Sequence, residues 1–171
     1  RAMDNAGPSP AASFVPAEFD ADDVAVIVYT SGTTDEPKGV MLTHGNLEAL
    51  VDSGVRAFGL GEDDRIGHLL PLFHLYGLRE VLASLTLGAT LLITTNASYP
   101  AAVLGWFMTE KVTALPGVPA HFSLFLGRYR DLLSALGAHL RYILLGTAPT
   151  PASLLQDLRA TLPNTRIYKT Y

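Results

Sequence analysis

Cysteine is absent from this chain, which removes a disulfide framework and any thiolate metal site. Charge is scarce as well. Charged residues make up 16% of the sequence, against about 25% in an ordinary domain. The net charge is -4 and the basic residues form no run, so nucleic acid and anionic membranes have no electrostatic footing as partners. No long apolar run exists either. The longest, Val112 to Gly127, is broken by Pro116, Gly117, Pro119 and His121, which excludes a membrane-spanning helix there. No signal-peptide pattern is visible.

What remains is 171 residues of unusually apolar polypeptide, 49% hydrophobic before glycine is counted. That length suits one domain. A surface so poor in charge implies that other polypeptide covers part of it, or that the piece self-associates. The first residue is Arg1 and the last is Tyr171, with no turn or cap signal there. A central slice of a larger protein is expected, and the isolated piece is expected to be inactive.

Residues 1–21 hold Pro8, Pro10 and Pro16 among small polar residues and read as an extended lead-in. Residues 22–171 alternate between strand and helix patterns. Strands are expected at 24–29, 66–70, 89–94, 112–115, 141–145 and 167–171, with a short extended return at 39–42. Helices are expected over 44–58 behind a Thr43 cap, 74–87, 98–111, 119–136, and behind a Thr150 cap with Pro151 in the first helical position. This alternation implies an α/β fold with a largely parallel sheet. Ligands of such sheets gather outside the carboxyl ends of the strands.

The strongest chemical signal is Thr30-Ser31-Gly32-Thr33-Thr34-Asp35-Glu36-Pro37-Lys38-Gly39. Hydroxyls, a glycine backbone and one lysine together suit phosphate oxygens. The nucleoside-triphosphatase loop reads G-x-x-x-x-G-K-S/T. Here Pro37 stands where its second glycine would be, and Gly39 where its hydroxyl would be.

The ten-residue string instead resembles T-S-G-T-T-x-x-P-K-G of the adenylate-forming enzymes, which include acyl-CoA synthetases, luciferases and peptide-synthetase adenylation domains. Three further segments fit the same family in order. Leu70-Pro71-Leu72-Phe73-His74-Leu75-Tyr76-Gly77 resembles its L-P-L-F-H-x-x-G segment. Gly146-Thr147-Ala148-Pro149 resembles its G-x-A-P turn, and Tyr171 resembles the first residue of Y-G-x-T-E.

The resemblance implies a two-step reaction. A carboxylate attacks the α-phosphate of ATP, giving an acyl-adenylate and pyrophosphate, and a thiol then displaces AMP to leave a thioester. It assigns Thr30, Ser31, Gly32, Thr33, Thr34 and Lys38 to the phosphates. Gly146, Thr147, Ala148, Pro149 and Tyr171 fall to the adenine, and His74, Tyr76 and Gly77 to the acyl pocket, with His74 the catalytic candidate. It implies ATP, magnesium with a ligand residue beyond the end of this chain, and coenzyme A or a carrier-protein phosphopantetheine as acceptor. A cytoplasmic ligase of fatty acid metabolism is expected.

Three departures narrow this. Asp35 stands where the family has Gly or Ser, a like charge beside polyphosphate. His74 stands where amino-acid-activating relatives carry Asp, and Thr170 where malonate-using relatives carry Arg, so a fatty or aryl monocarboxylate is left. Thr95-Asn96-Ala97-Ser98 lacks the basic residue that many CoA ligases place there, which keeps the carrier protein open as acceptor. A non-catalytic nucleotide- or acyl-binding fragment or paralogue is the competing class. His44, His68, His121 and His139 lack metal-ligand spacing and read as structural or exposed. Ala120 and His121 suit a wall of the acyl tunnel and core packing equally.

Overall fold

The computed structural model describes residues 17–30, 37–94 and 99–170. Two sheets are present among them. β1 (Val24–Thr30) and β2 (Lys38–Thr43) form an antiparallel hairpin, while β3 (Arg65–His68), β4 (Thr90–Ile93), β5 (Ala114–Gly117), β6 (Tyr142–Leu145) and β7 (Arg166–Lys169) form a parallel sheet. The order across the parallel sheet is β4-β3-β5-β6-β7. The chain therefore steps to one side of β3 and then returns to its other side. That reversal, between β3 and β5, is the place where a parallel sheet leaves a crevice at its carboxyl ends.

Helices cover both faces, as a parallel sheet requires. α1 (His44–Phe58) and α2 (Leu75–Leu87) lie on one face. α3 (Pro100–Thr109), α4 (Pro119–Arg128), α5 (Arg130–Leu136) and α6 (Ala152–Thr161) lie on the other. β6 shows the strand period of two directly. Tyr142 and Leu144 pack with Val51, Ile66 and Ala83, and Ile143 and Leu145 pack with Phe107, Phe122 and Leu158. No helix among the described residues is long and apolar enough to cross a membrane.

Local signals explain several boundaries. Thr43 caps α1 by a reciprocal pair: Asn46 N–H donates to Thr43 Oγ1, and Thr43 N–H to Asn46 Oδ1, both at 3.2 Å. α3 begins at Pro100, whose ring suits a first helical residue, and stops before Lys111, which adopts φ 54°. It is thus shorter than the expected 98–111.

Other expectations need correction. The single helix 119–136 is two helices, broken at Tyr129 with φ -138° and ψ 31°. Phe122, Phe125, Tyr129, Leu133 and Leu136 keep helical spacing through the break, so the pattern alone hides it. Thr150 does not cap α6. That helix starts after Pro151, and the Thr150 hydroxyl is buried without a partner. β5 runs on through Pro116 to Gly117, where the sequence suggests an end at Leu115. β5 meets β3 at the pair Ile66 and Ala114. Pro116, which has no N–H to give, lies beyond that point. The segment expected to bind phosphates lies in sequence between β1 and β2 of the separate hairpin, not after a strand of the parallel sheet.

A charged clasp ties the amino ends of the strands. Asp64 is fully buried. It accepts from Thr113 Oγ1 at 2.7 Å, Arg141 Nη1 at 2.7 Å and Gly61 N–H at 3.0 Å. The same arginine donates to the Gly59 carbonyl at 3.0 Å. One carboxylate thereby links the turn after α1 to the entries of β5 and β6. Asp64→Ala leaves these donors unpaired and is expected to cost about 3 kcal/mol in urea unfolding. A loss under about 1 kcal/mol would show that the clasp is not structural.

Candidate functional site

Three strand ends converge on one crevice. The segment after β3 supplies Leu70 and Pro71, the start of α2 supplies His74, Leu75 and Tyr76, the segment after β5 supplies Val118 and His121, and the turn after β6 supplies Thr147. Together they line a cavity of about 510 Å³. A second hollow of about 180 Å³ is lined by Thr147, Ala148, Pro149 and Thr170. Thr147 borders both.

The wall between them is built by close approach. Gly146 N–H donates to the Gly117 carbonyl at 3.2 Å, and Thr170 N–H to the Leu145 carbonyl at 2.8 Å. Tyr76 O–H donates to the Leu144 carbonyl at 3.2 Å. The ring of Tyr76 then lies so near Gly146 that an added Cβ would sit 2.7 Å from Tyr76 Cε1 and 2.7 Å from Thr170 Oγ1. Only glycine fits. The next residue, Thr147, adopts φ 67°, a genuine outlier for a β-branched side chain. Such strain costs about 1–3 kcal/mol and persists where the surroundings over-determine the backbone. Here the strand-end hydrogen bonds and the ring of Tyr76 do so.

The Pro71-to-Gly77 turn has its own steric lock. His74 N–H donates to the Pro71 carbonyl at 3.2 Å. A Cβ on Gly77 would meet that same carbonyl oxygen at 2.2 Å. Gly77 thus lets the first turn of α2 fold onto Pro71. His74 stands just before the helix, with φ -93° and ψ 141°, and its side chain makes no cap. It is exposed and lies against Phe73, ring centroids 4.8 Å apart.

Beneath Tyr76 lies a buried charge pair. Arg79 donates to Glu80 through Nε at 3.0 Å and also through Nη2. Its guanidinium carbon stands 4.8 Å from the Tyr76 ring centroid and 5.5 Å from that of Phe58. Burial pushes the Glu80 carboxyl up, and Arg79 pulls against that shift. Burial, helped by the Glu80 charge, also pushes the Tyr76 phenol up, so the phenol keeps its proton and donates it to the Leu144 carbonyl.

The expected site residues divide into groups. Gly146, Thr147, Ala148, Pro149, His74, Tyr76 and Gly77 are brought together. Thr30 and Lys38 face each other at the neck of the hairpin, where Thr30 Oγ1 lies 3.5 Å from the Lys38 carbonyl. No hydrogen bond joins either to the Gly146 turn. Ser31, Gly32, Thr33, Thr34, Asp35, Glu36 and Tyr171 lie outside the described residues, as do Thr95 to Ser98. No cluster of three imidazoles or carboxylates suited to a metal occurs among the described residues.

Sequence reasoning missed Arg79 and Glu80, because a charged pair on a helix ordinarily signals a solvated face. It also left His68 as structural or exposed. His68 closes β3, is buried, and has no hydrogen-bond partner on either ring nitrogen. Its Nε2 would be 3.5 Å from a Cβ on Gly77. Burial pulls its pKa below the usual 6.5, which the Leu70 backbone offsets only in part.

The unfolded chain therefore takes up a proton on His68 near pH 6.5, while the folded chain resists. Stability is unaffected by this group above that pH and falls as the pH drops below it. His68→Asn is expected to reduce the stability lost between about pH 7 and pH 5, read by urea unfolding at each pH. An unchanged slope would contradict a buried neutral imidazole.

Known proteins are similar to this chain in sequence and in fold. The 2-succinylbenzoate–CoA ligase of Bacillus pumilus is 37% identical over 140 residues, 82% of this chain and 28% of its own length. A feruloyl-CoA synthase of an Amycolatopsis species is 40% identical over 134 residues, 78% of this chain and 27% of its own. An L-proline–[L-prolyl-carrier protein] ligase of Pseudomonas fluorescens is 31% identical over 148 residues, 85% of this chain and 30% of its own. The crystal structure of ATP-bound MatB from Rhodopseudomonas palustris superposes with a TM-score of 0.81 at 28% identity, covering 92% of this chain and 31% of that one. The chain thus spans about a third or less of the proteins it matches. Residues 2–171 match the AMP-binding enzyme family, and the chain belongs to that family.

Proposed function

We propose that this chain is part of an AMP-forming acid–thiol ligase, in which residues 22–171 are an incomplete domain and residues 1–21 its lead-in. The 180 Å³ hollow beside Ala148 and Pro149 takes the adenylate, and the 510 Å³ cavity takes the acyl group. The observation that carries this is Thr147, which borders both hollows. A carboxylate reaching past Thr147 meets the α-phosphate of ATP there. Such a reaction joins two anions, so it depends on donors and cations at the transferring phosphorus.

Thr30 and Lys38, with Ser31, Gly32, Thr33 and Thr34, act on the β- and γ-phosphates. Lys38 is exposed at the loop's exit, free to extend toward polyphosphate. Tyr171 follows Thr170 at the adenylate hollow and offers a ring for stacking on adenine. His74 borders the acyl cavity at the carboxylate. Tyr76 and Gly77 shape that cavity. ATP enters with magnesium.

The substrate is a fatty or aryl monocarboxylate. Coenzyme A is the acceptor, supported by two relatives named as CoA ligase or synthase. A carrier-protein phosphopantetheine is the second reading, favoured by the carrier-protein ligase relative. Ile27 and Tyr29 on β1 and Met41 on β2 leave one face of the hairpin apolar and exposed. In the parent protein that face is covered by other polypeptide, and in the isolated piece it promotes self-association.

The complete parent protein is expected to exchange pyrophosphate into ATP only when a monocarboxylate is present. Lys38→Ala should slow that exchange about ten- to hundredfold, the value of one charge-assisted contact. Carboxylate-independent hydrolysis of ATP to ADP would overturn this proposal.

A further inference from the structure

Arg79 carries a charge in a place nearly closed to solvent. Its side chain is 13% exposed, and that of Glu80 beside it is 1% exposed. Arg79 Nε donates to Glu80 Oε1 at 3.0 Å, and Nη2 donates to the same oxygen. Two bonds from one planar fork fix the plane of the guanidinium as well as its place. Glu80 Oε2 has no partner, so the pair is not a fully satisfied network. A buried ion pair of this kind adds little to stability, since apolar residues of similar volume often serve as well. Its neighbours supply another role.

The guanidinium carbon lies 4.8 Å from the Tyr76 ring centroid and 5.5 Å from that of Phe58. From α1, a Cβ on Gly54 would lie 3.7 Å from Arg79 Cδ and 3.9 Å from Nε, so the helix backs the arginine stem. Attraction between a cation and an aromatic ring is strongest where water is excluded. Tyr76 is thereby held at three places. Arg79 holds the ring, the Gly146 turn meets its edge, and the Leu144 carbonyl accepts from its hydroxyl at 3.2 Å. Tyr76 borders the 510 Å³ cavity, and Thr147, next to Gly146, borders both hollows. Arg79 itself lines neither.

We propose that Arg79 is a positioning residue for adenylation: held in plane by Glu80, it fixes the Tyr76 ring at the Gly146 turn and so keeps the two hollows in register. The proposal rests on the assignment of those hollows to the adenylate and the acyl group. Without the guanidinium, Tyr76 keeps its hydroxyl bond but loses the contact that sets its ring. The turn that divides the crevice then loses its support from α2.

The test uses the complete parent enzyme in pyrophosphate exchange, with benzoate as the carboxylate. Arg79→Met combined with Glu80→Leu removes both charges together, so neither is left buried alone. This paired variant is expected to keep the urea midpoint of the wild type. KM for ATP and KM for benzoate should each rise about tenfold, the worth of one well-placed contact. A mere loss of folded enzyme would lower kcat and leave both KM values where they are. In Tyr76→Leu, which has no ring to hold, the paired replacement should raise neither KM further. Should the paired variant fail to fold, Arg79→Lys keeps the charge but not the planar fork, and is expected to raise both KM values in the same way.

Three outcomes overturn the proposal, and they differ. Unchanged KM values in the paired and Arg79→Lys variants refute the positioning role alone. A rise that persists in full in the Tyr76→Leu background also refutes it, because Arg79 would then act by another route. Exchange in wild type that needs no carboxylate refutes the assignment of the hollows, and the positioning role with it.

Discussion

The contact between the Tyr76 ring and the backbone of Gly146 is the constraint on which the site depends. It joins the start of α2 to the end of β6, with an added Cβ excluded at 2.7 Å. The Tyr76 hydroxyl closes the same junction by donating to the Leu144 carbonyl. Any larger residue at position 146 must push the ring away or move the turn, and overpacking of this kind costs about 1–3 kcal/mol. The strained φ of Thr147 accompanies that junction, as does the division of the crevice into two hollows that share Thr147.

Buried polar groups are satisfied unevenly across the molecule. At the amino ends, Asp64 is buried and fully paired, and its three donors come from three segments. At the carboxyl ends, buried polar groups are less satisfied. One oxygen of Glu80 and both nitrogens of His68 have no partner. A satisfied network rigidifies, whereas an unsatisfied one in low dielectric is costly. The division is not complete, since the Tyr142 hydroxyl at the start of β6 is also buried without a partner. Arg79 links the two behaviours: it neutralises Glu80 and lies over the rings of Tyr76 and Phe58.

Much of this was legible in the chain. The α1 limits, 44–58, followed from Thr43 and the apolar spacing of Leu47, Leu50, Val51 and Phe58. The G-x-A-P turn after β6 and the glycine at the foot of α2 were visible as motifs, and the parallel sheet as alternation. What was not legible depends on contacts distant in sequence. Tyr129 breaks a helix whose apolar spacing continues unbroken. Pro116 sits within a central strand, paired with Leu144 of β6 and beyond the Ile66–Ala114 pairing with β3. His68 looks like any strand histidine until Gly77 is folded against it. The hairpin's separation from the parallel sheet could not be read either, since strand pairing leaves no trace in a single strand's pattern.

The central claim is that one packed junction shapes both halves of the crevice. Its most direct test is Gly146→Ala in the complete parent protein, with ATP and carboxylate binding each measured by calorimetry. The account predicts that both affinities fall, each by about tenfold, the equivalent of some 1.4 kcal/mol, while the fold persists in circular dichroism. Unchanged affinity for both ligands would contradict it, because the Tyr76–Gly146 contact would then have no bearing on the site.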